Sequence, residues 1–254
     1  MREPRLFGLM VTRNEADRYL QACLEWHAPL FDGLLVYDDH SDDATFHVVR
    51  HAGATYVRRP VGVPSFMEHE GHFRQDSLDQ LVARFGLAAG DWVAVIDTDE
   101  FLVGPDDLRG ALRGAIRRAE ASGAKALTIN RPELWSLSPP AERVDGYWGG
   151  IVCTRVFRWE PGGRIRDAAM GCGAEPDYIA TSRLYREGTI RLVHVGYVDP
   201  RDRQDKYERY TSLTDHGHNH GHIESILGRP RLRDWTDPLP PIWRGLRSGS
   251  AHVS

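Results

Sequence analysis

Trp92-Val93-Ala94-Val95-Ile96-Asp97-Thr98-Asp99-Glu100-Phe101 is the stretch that decides the fold. Five apolar residues in a row give a segment of strand length with no polar face, the pattern of a strand buried on both sides of a parallel sheet. Two aspartates one residue apart follow at once. In a strand continuation they share a face, and at a strand end both can point into one site. Converging carboxylates repel unless a cation offsets their charge. Mg2+ or Mn2+ suits such a pair, taking one or two carboxylates and filling its shell with phosphate oxygens and water. The plainer reading of the same residues is capping of the turn that follows.

Upstream of this strand the chain alternates between strand and helix patterns. Residues 5–11 form a short apolar run, and Asn14 with Asp17 three residues on has the spacing of a helix-start capping box. Residues 33–37 predict a second strand, 42–51 a second helix opened by acidic residues, 55–58 a third strand, and 69–85 a helix carrying Phe73, Leu78, Leu81 and Phe85. Strand–helix alternation with short loops predicts a doubly wound, Rossmann-like parallel sheet. Ligands of such sheets bind beyond the carboxyl ends of the strands. Those ends read Thr12-Arg13-Asn14-Glu15, Asp38-Asp39-His40-Ser41-Asp42-Asp43 and Asp97-Thr98-Asp99-Glu100. Helix capping accounts for Asp42 and Asp43 more readily than for Asp38 and Asp39.

Downstream the pattern is less regular: a helix over 105–120, a strand over 126–130, β structure over 147–159, a glycine-rich loop over 161–177, a strand over 189–193 and a charged helix over 200–213. The 254 residues are 41% hydrophobic and 27% charged, ordinary globular composition that excludes a disordered or fibrous chain. Lys+Arg 32 against Asp+Glu 36 gives a net charge of −4, which argues against nucleic-acid binding through a basic surface. No apolar run is long enough to span a bilayer and no signal-peptide pattern opens the chain, so the expected location is cytoplasmic. Cys23, Cys153 and Cys172 have neither disulfide density nor metal spacing. Only Lys125 and Lys206 among the 32 basic residues are lysines. Chemistry needing a lysine near the N-terminal strands therefore has no obvious candidate.

Residues 10–15 (Met-Val-Thr-Arg-Asn-Glu), 36–45 (Val-Tyr-Asp-Asp-His-Ser-Asp-Asp-Ala-Thr) and 95–101 (Val-Ile-Asp-Thr-Asp-Glu-Phe), with His194-Val195-Gly196-Tyr197 further on, resemble the GT-A glycosyltransferases of the bacterial family 2-like type. The likeness runs over about residues 5–215. It implies one GT-A domain over 1–254: a nucleotide-sugar-binding half to about 104, an acceptor-side half over 105–227, and a tail over 228–254. It implies a nucleotide-diphosphate-sugar donor, a saccharide or small-molecule acceptor, and Mn2+ or Mg2+. Position by position, Thr12 and Glu15 fall near base and ribose, Asp39 at the base, Arg74 toward the donor, and Asn14 and Asp38 in the same donor-binding set. Asp97 falls at ribose or metal, Asp99 at the metal, and His194 as a C-terminal metal or phosphate ligand. Two departures stand out: Arg13 replaces an aromatic residue often found near the base, and His40 replaces a glycine.

Inverting transfer needs a base for the acceptor hydroxyl. In this family it is a carboxylate downstream of the Asp-x-Asp; Glu133, Asp145, Glu175 and Asp177 are available, and Glu175 with Asp177, after a glycine-rich segment, is the preferred catalytic pair. Trp148 is the weak candidate for an acceptor-stacking surface, since sugar rings pack on aromatic faces. His216, His218, His220 and His222 read as a solvated loop or an adventitious metal cluster. Competing functions are a non-catalytic nucleotide-sugar binder and phosphoryl transfer of the haloacid-dehalogenase type; the latter wants a lysine, and both lysines look badly placed. A Walker A loop is absent.

Overall fold

The computed structural model describes residues 3–169, 173–212, 220–237 and 239. β1 (Leu6–Thr12) lies between β2 (Gly33–Asp38) and β4 (Trp92–Asp97), and β3 (Thr55–Arg58) flanks β2, all parallel. Side-chain alternation along these strands sets the two faces. Leu6, Met10, Trp92, Ala94 and Ile96 join one core with Leu20 and Leu24 of α1 (Leu20–His27) and Leu112 and Ile116 of α4 (Leu108–Ala121). Phe7, Leu9, Val93 and Val95 face the opposite way, onto Phe73, Leu78 and Leu81 of α3 (Glu70–Phe85). The unbroken apolar run of β4 is thus explained by burial on both sides. At Gly8 a Cβ would collide with the Phe31 ring, so the absence of a side chain lets the chain before β2 lie flat on β1.

The second half extends the same sheet with mixed directions. β9 (Val152–Arg158) inserts antiparallel between β4 and β6 (Ala126–Asn130). β10 (Leu184–His194) runs parallel to β6 and antiparallel to β5 (Glu100–Val103). β7 (Glu133–Leu137), β8 (Pro140–Arg143) and β11 (Leu232–Asp234) complete eleven strands, in the order β11-β8-β7-β10-β6-β9-β4-β1-β2-β3 with β5 on β10. After β10 come α5 (Pro200–Thr211), begun by Asp199 capping Arg201 N, and α6 (His220–Ser225).

The expected strands and helices are present, with shifted edges. The helix expected from Asn14 starts at Leu20. Asn14 has a left-handed backbone (φ 53°) and clips the neighbouring loop: its N–H donates to Ser41 Oγ at 2.8 Å and its Oδ1 accepts from Asp42 N at 3.0 Å. The helix expected over 42–51 is α2 (Thr45–His51), with Asp43 accepting from Thr45 N. His40 is also left-handed (φ 59°), and its Nε2 donates to Arg59 O at 2.9 Å. The histidine thus keeps the backbone conformation a glycine would supply, and adds a tether.

Deep in the first core, His27 accepts from Leu102 N through Nε2 (3.1 Å) and donates from Nδ1 to Cys23 O (2.8 Å). Burial pushes its pKa down to about 4. The unfolded chain therefore binds a proton that the folded chain refuses between pH 6.5 and about 4, and stability falls as pH drops through that window. The gap corresponds to roughly 3 kcal/mol. Urea unfolding at pH 7 and pH 4.5 should show His27→Gln losing less stability on acidification than wild type by about this amount; identical losses would mean His27 is not buried neutral.

Candidate active site

A cleft of about 350 Å3 opens where β1, β4 and β10 end, lined by Glu15, Arg18, Arg74, Asp97, Asp99, Glu100, Arg131, Arg155, His194 and Lys206 among others. Backbone register assembles it. His194, the last residue of β10, pairs with Glu100 on one side and Glu133 on the other, and Val195 N donates to Asp99 O at 2.8 Å. Residues nearly a hundred positions apart are thereby brought to one point.

The charges alternate through the cleft wall. Arg155 bridges Asp97 (2.9 Å) and Glu100 (3.1 Å), while Arg131 reaches Glu100 (3.4 Å) and Glu133 (2.8 Å). Glu133 accepts from His194 Nδ1, and His194 Nε2 lies 3.1 Å from Asp99 Oδ2. Lys206 Nζ closes the chain at 2.8 Å from the same oxygen. Burial alone would raise the Asp99 carboxyl, but Lys206 and His194 outweigh it and hold Asp99 well below the usual range. Burial opposes the charge on His194, yet Glu133 and Asp99 lift it to about 9. Glu133, also buried, is held at about 2 by His194 and Arg131. Burial pushes Glu15 up to about 7 against the pull of Arg18.

A divalent cation is compatible with part of this set. Asp99 offers a carboxylate oxygen and His194 an imidazole Nε2, and Glu133 behind Nδ1 is the carboxylate that orients a ligating histidine. Gly196 lets these side-chain ends converge: a methyl group built there would fall well inside contact distance of Asp99 Oδ2 and Lys206 Nζ, and 2.8 Å from His194 Nε2. Of the three expected ligands, Asp97 also lines the cleft, but its Oδ2 is engaged by Arg155. Its placement at the end of β4 follows the sequence reading, but a cation from β9 meets it first.

Other expected residues divide. Arg74 lines the cleft; its Nε donates to Glu70 Oε1 at 2.6 Å, its guanidinium packs over Phe66, and its Nη1 has no hydrogen-bond partner among the described residues. Glu15 also lines it, with one buried oxygen that has no partner among the described residues. The same holds for Thr12 Oγ1, buried at the end of β1. Asp39 instead is engaged on both oxygens, by Arg59 Nε (2.6 Å) and Phe66 N (3.1 Å). Asp38 is fully buried and accepts from Ser41 and Tyr56. The capping explanation therefore extends to Asp38, and Asn14 serves the loop clip described above.

The expected catalytic pair is not in the cleft lining. Asp177 is exposed and accepts from Tyr178 N at 2.8 Å, closing a turn. Glu175 accepts from Ala174 N at 3.0 Å, though its charge is felt by Arg155. Glu133 is no substitute as a base, since it is buried and fully paired. Trp148 does not reach the cleft either: it is 2% exposed, and Trp135, Tyr197, His222 and Arg143 surround its ring. Its neighbour Tyr147, half exposed, lines the cleft in its place. His222 from the histidine-rich stretch also borders it, whereas His216 and His218 lie outside the described residues and nothing is described of the His220 side chain.

Sequence reasoning missed Arg131, Arg155, the support role of Glu133, and above all Lys206, which it judged badly placed. The one available signal was the rarity of lysine in a chain otherwise built with arginine. A second ligand-like group, His69, His72 and Asp167, has donor atoms within 4.8 Å of one another at the start of α3. His69 Nδ1, however, accepts the His72 N–H. Its proton is thus left on Nε2, facing Asp167, which is the arrangement of a helix cap.

No family model and no curated protein matches the chain. Solved structures do. The mannosyltransferase PcManGT from Pyrobaculum calidifontis, in complex with GDP-Man and Mn2+, aligns over 97% of this chain and 68% of its own, at 15% identity and a TM-score of 0.50. Glucosyl-3-phosphoglycerate synthase from Mycobacterium tuberculosis, with Mn2+, UDP and glucosyl-3-phosphoglycerate, aligns over 51% of this chain at 21% identity and a TM-score of 0.37. S. aureus TarS aligns over 88% at 13% identity and 0.47. The chain spans 44% of the synthase and 42% of TarS. No helix among the described residues is long and apolar enough to cross a membrane. The match along nearly the whole chain to the mannosyltransferase identifies the architecture: this protein has the GT-A fold.

Proposed function

We propose that this chain is a glycosyltransferase, moving a sugar from a nucleoside diphosphate sugar to an acceptor hydroxyl. The observation that carries the reading is Asp99 facing a Glu133-backed His194 across the bare Gly196, at the strand ends where sheets of this class take their ligands. When bound, a divalent cation, Mn2+ or Mg2+, offsets the charge that develops on the departing diphosphate. Asp99 and His194 would hold it, and Glu133 fixes the imidazole that does so.

The remaining roles belong to the chain's own groups. Arg74 lines the cleft with an N–H that has no partner among the described residues, suited to a phosphate oxygen. Arg155 neutralises Asp97 and Glu100, so the acidic turn can lie against a polyanion. Glu15 combines a free buried oxygen with a pKa near 7, which fits it to take the acceptor's proton better than Glu175 or Asp177, and transfer through such a base inverts the anomeric centre. Tyr147 and Tyr210 offer aromatic faces at the cleft for a saccharide or small-molecule acceptor. Phosphoryl transfer is disfavoured because the first aspartate is tied to Arg155, while Lys206 reaches the second.

Calorimetric titration of UDP, GDP and dTDP, each with and without Mn2+, tests the reading. One nucleotide should bind, and Mn2+ should tighten it by at least about ten-fold. Absence of binding by all three to the folded protein refutes it. Binding without any release of nucleotide from the matching sugar nucleotide would favour a non-catalytic binder.

A further inference from the structure

Lys206 occupies a peculiar position for a residue in a cation-binding site. It is one of two lysines in the chain, sits on α5, and is 8% exposed. Its Nζ lies 2.8 Å from Asp99 Oδ2, 3.4 Å from His194 Nε2 and 4.5 Å above the Tyr197 ring. The same Nζ is one of the atoms that a methyl on Gly196 would strike. The ammonium therefore lies against the Asp99–His194 pair and occupies the carboxylate oxygen best suited to hold a metal. An ammonium and a divalent ion cannot both use Asp99 Oδ2, because the ion needs that oxygen at about 2.1 Å and the two positive charges would be only a few ångströms apart.

A lysine is also the right residue for a temporary tenant. Its charge is a compact point at the end of a flexible four-carbon stem, whereas an arginine fork would be locked in place by its planar bonds. Arg155 and Arg131, which hold Asp97, Glu100 and Glu133, are of the locked kind. Room for movement exists, since Lys206 borders the open cleft together with Arg209 of the same helix. Once released there, the ammonium needs a new anion, and a diphosphate in the cleft supplies one.

We propose that Lys206 is an internal counter-cation that competes with the divalent ion for Asp99, so that the ion enters efficiently only together with a nucleoside diphosphate that receives the displaced ammonium. The proposal rests on the donor-site reading above and adds to it an order of events. Without nucleotide, Lys206 keeps the buried Asp99 charge paired. With nucleotide, the lysine transfers its contact to phosphate and the ion takes its place. Coupling of this kind is reciprocal: the nucleotide must raise the affinity for the ion by the same factor as the ion raises the affinity for the nucleotide.

The test is Mn2+ titration by calorimetry into wild type, Lys206→Met and Lys206→Gln, each alone and with saturating UDP or GDP. Wild type should bind Mn2+ weakly alone and at least about ten-fold more tightly with nucleotide. Lys206→Met, which keeps the stem and removes the charge, should bind Mn2+ alone at least about ten-fold more tightly than wild type, with the effect of nucleotide smaller than in wild type by about the same factor. Lys206→Gln carries the same expectation if methionine packs poorly. Equal Mn2+ affinity in wild type and variants, abolished in every case by Asp99→Asn, overturns the role of Lys206 and leaves the donor site standing. Wild type binding Mn2+ equally well with and without nucleotide also overturns it. If Mn2+ binds to no form even with nucleotide present, the metal reading fails and this proposal fails with it.

Discussion

Asp99→Asn is expected to slow release of nucleotide from the sugar donor by about a thousand-fold, the loss corresponding to roughly 4 kcal/mol of charge stabilisation at the departing diphosphate. The amide keeps the volume of the carboxylate and one acceptor oxygen for Lys206, but it cannot neutralise both Lys206 and His194 or ligate a hard cation well. Part of the effect will fall on stability, because two buried cations lose their shared anion. Circular dichroism and the thermal midpoint separate the two losses. The decisive comparison is nucleotide affinity in EDTA and in Mn2+: the metal-dependent increment should vanish while the metal-free affinity stays within a few-fold of wild type. Retention of more than about a tenth of the wild-type rate would remove Asp99 from the metal site.

Gly196→Ala should come next in size, with a rate loss of about a hundred-fold. The added methyl would enter the space bounded by Asp99 Oδ2, Lys206 Nζ and His194 Nε2. Those atoms are side-chain ends, but they belong to one ion-paired cluster that must shift together, so the fold should lose about 1–3 kcal/mol. Gly188→Ala is the matched control, since a methyl there meets nothing within 4 Å. Wild-type rates and Mn2+ response in Gly196→Ala would show that nothing needs to occupy that gap.

The parts of this protein legible in its sequence are those whose signal is local. The β4 run, β3 and β6 announce themselves through apolar pattern, and β3 and β6 begin and end where expected. That Asp97 and Asp99 line the cleft is legible because a strand end tells where to look. What was not legible depends on long-range pairing. β5, β7 and β8 are as short as β3 and β6 but each follows another strand with no helix between to set it off, and β11 holds three exposed residues. Arg155, Glu133 and Lys206 have roles fixed by the register of β9, β7 and β10 and by the path into α5, none of which a window of sequence contains. Asp38, Asp39 and Asp177 misled for the converse reason: an acidic residue after a strand is equally suited to binding a ligand and to satisfying loop N–H groups, and only the neighbours decide. Trp148 misled because a tryptophan's identity says nothing about which of its faces remains uncovered.

The alternating chain of charge from Arg155 to Lys206 has a consequence for anyone recombining this protein. Its acids at 97, 99 and 100 lie before the midpoint of the chain, and the cations that answer them, Arg131, Arg155, His194 and Lys206, all lie after it. A chimera joined near residue 104, which takes its first half from one relative and its second from another, inherits carboxylates from one parent and counter-charges from the other. Such a hybrid keeps its site only if both parents place those partners alike. The crossover that looks natural from strand pattern is therefore the least safe, and these seven residues, with Glu133, are best exchanged as a single block.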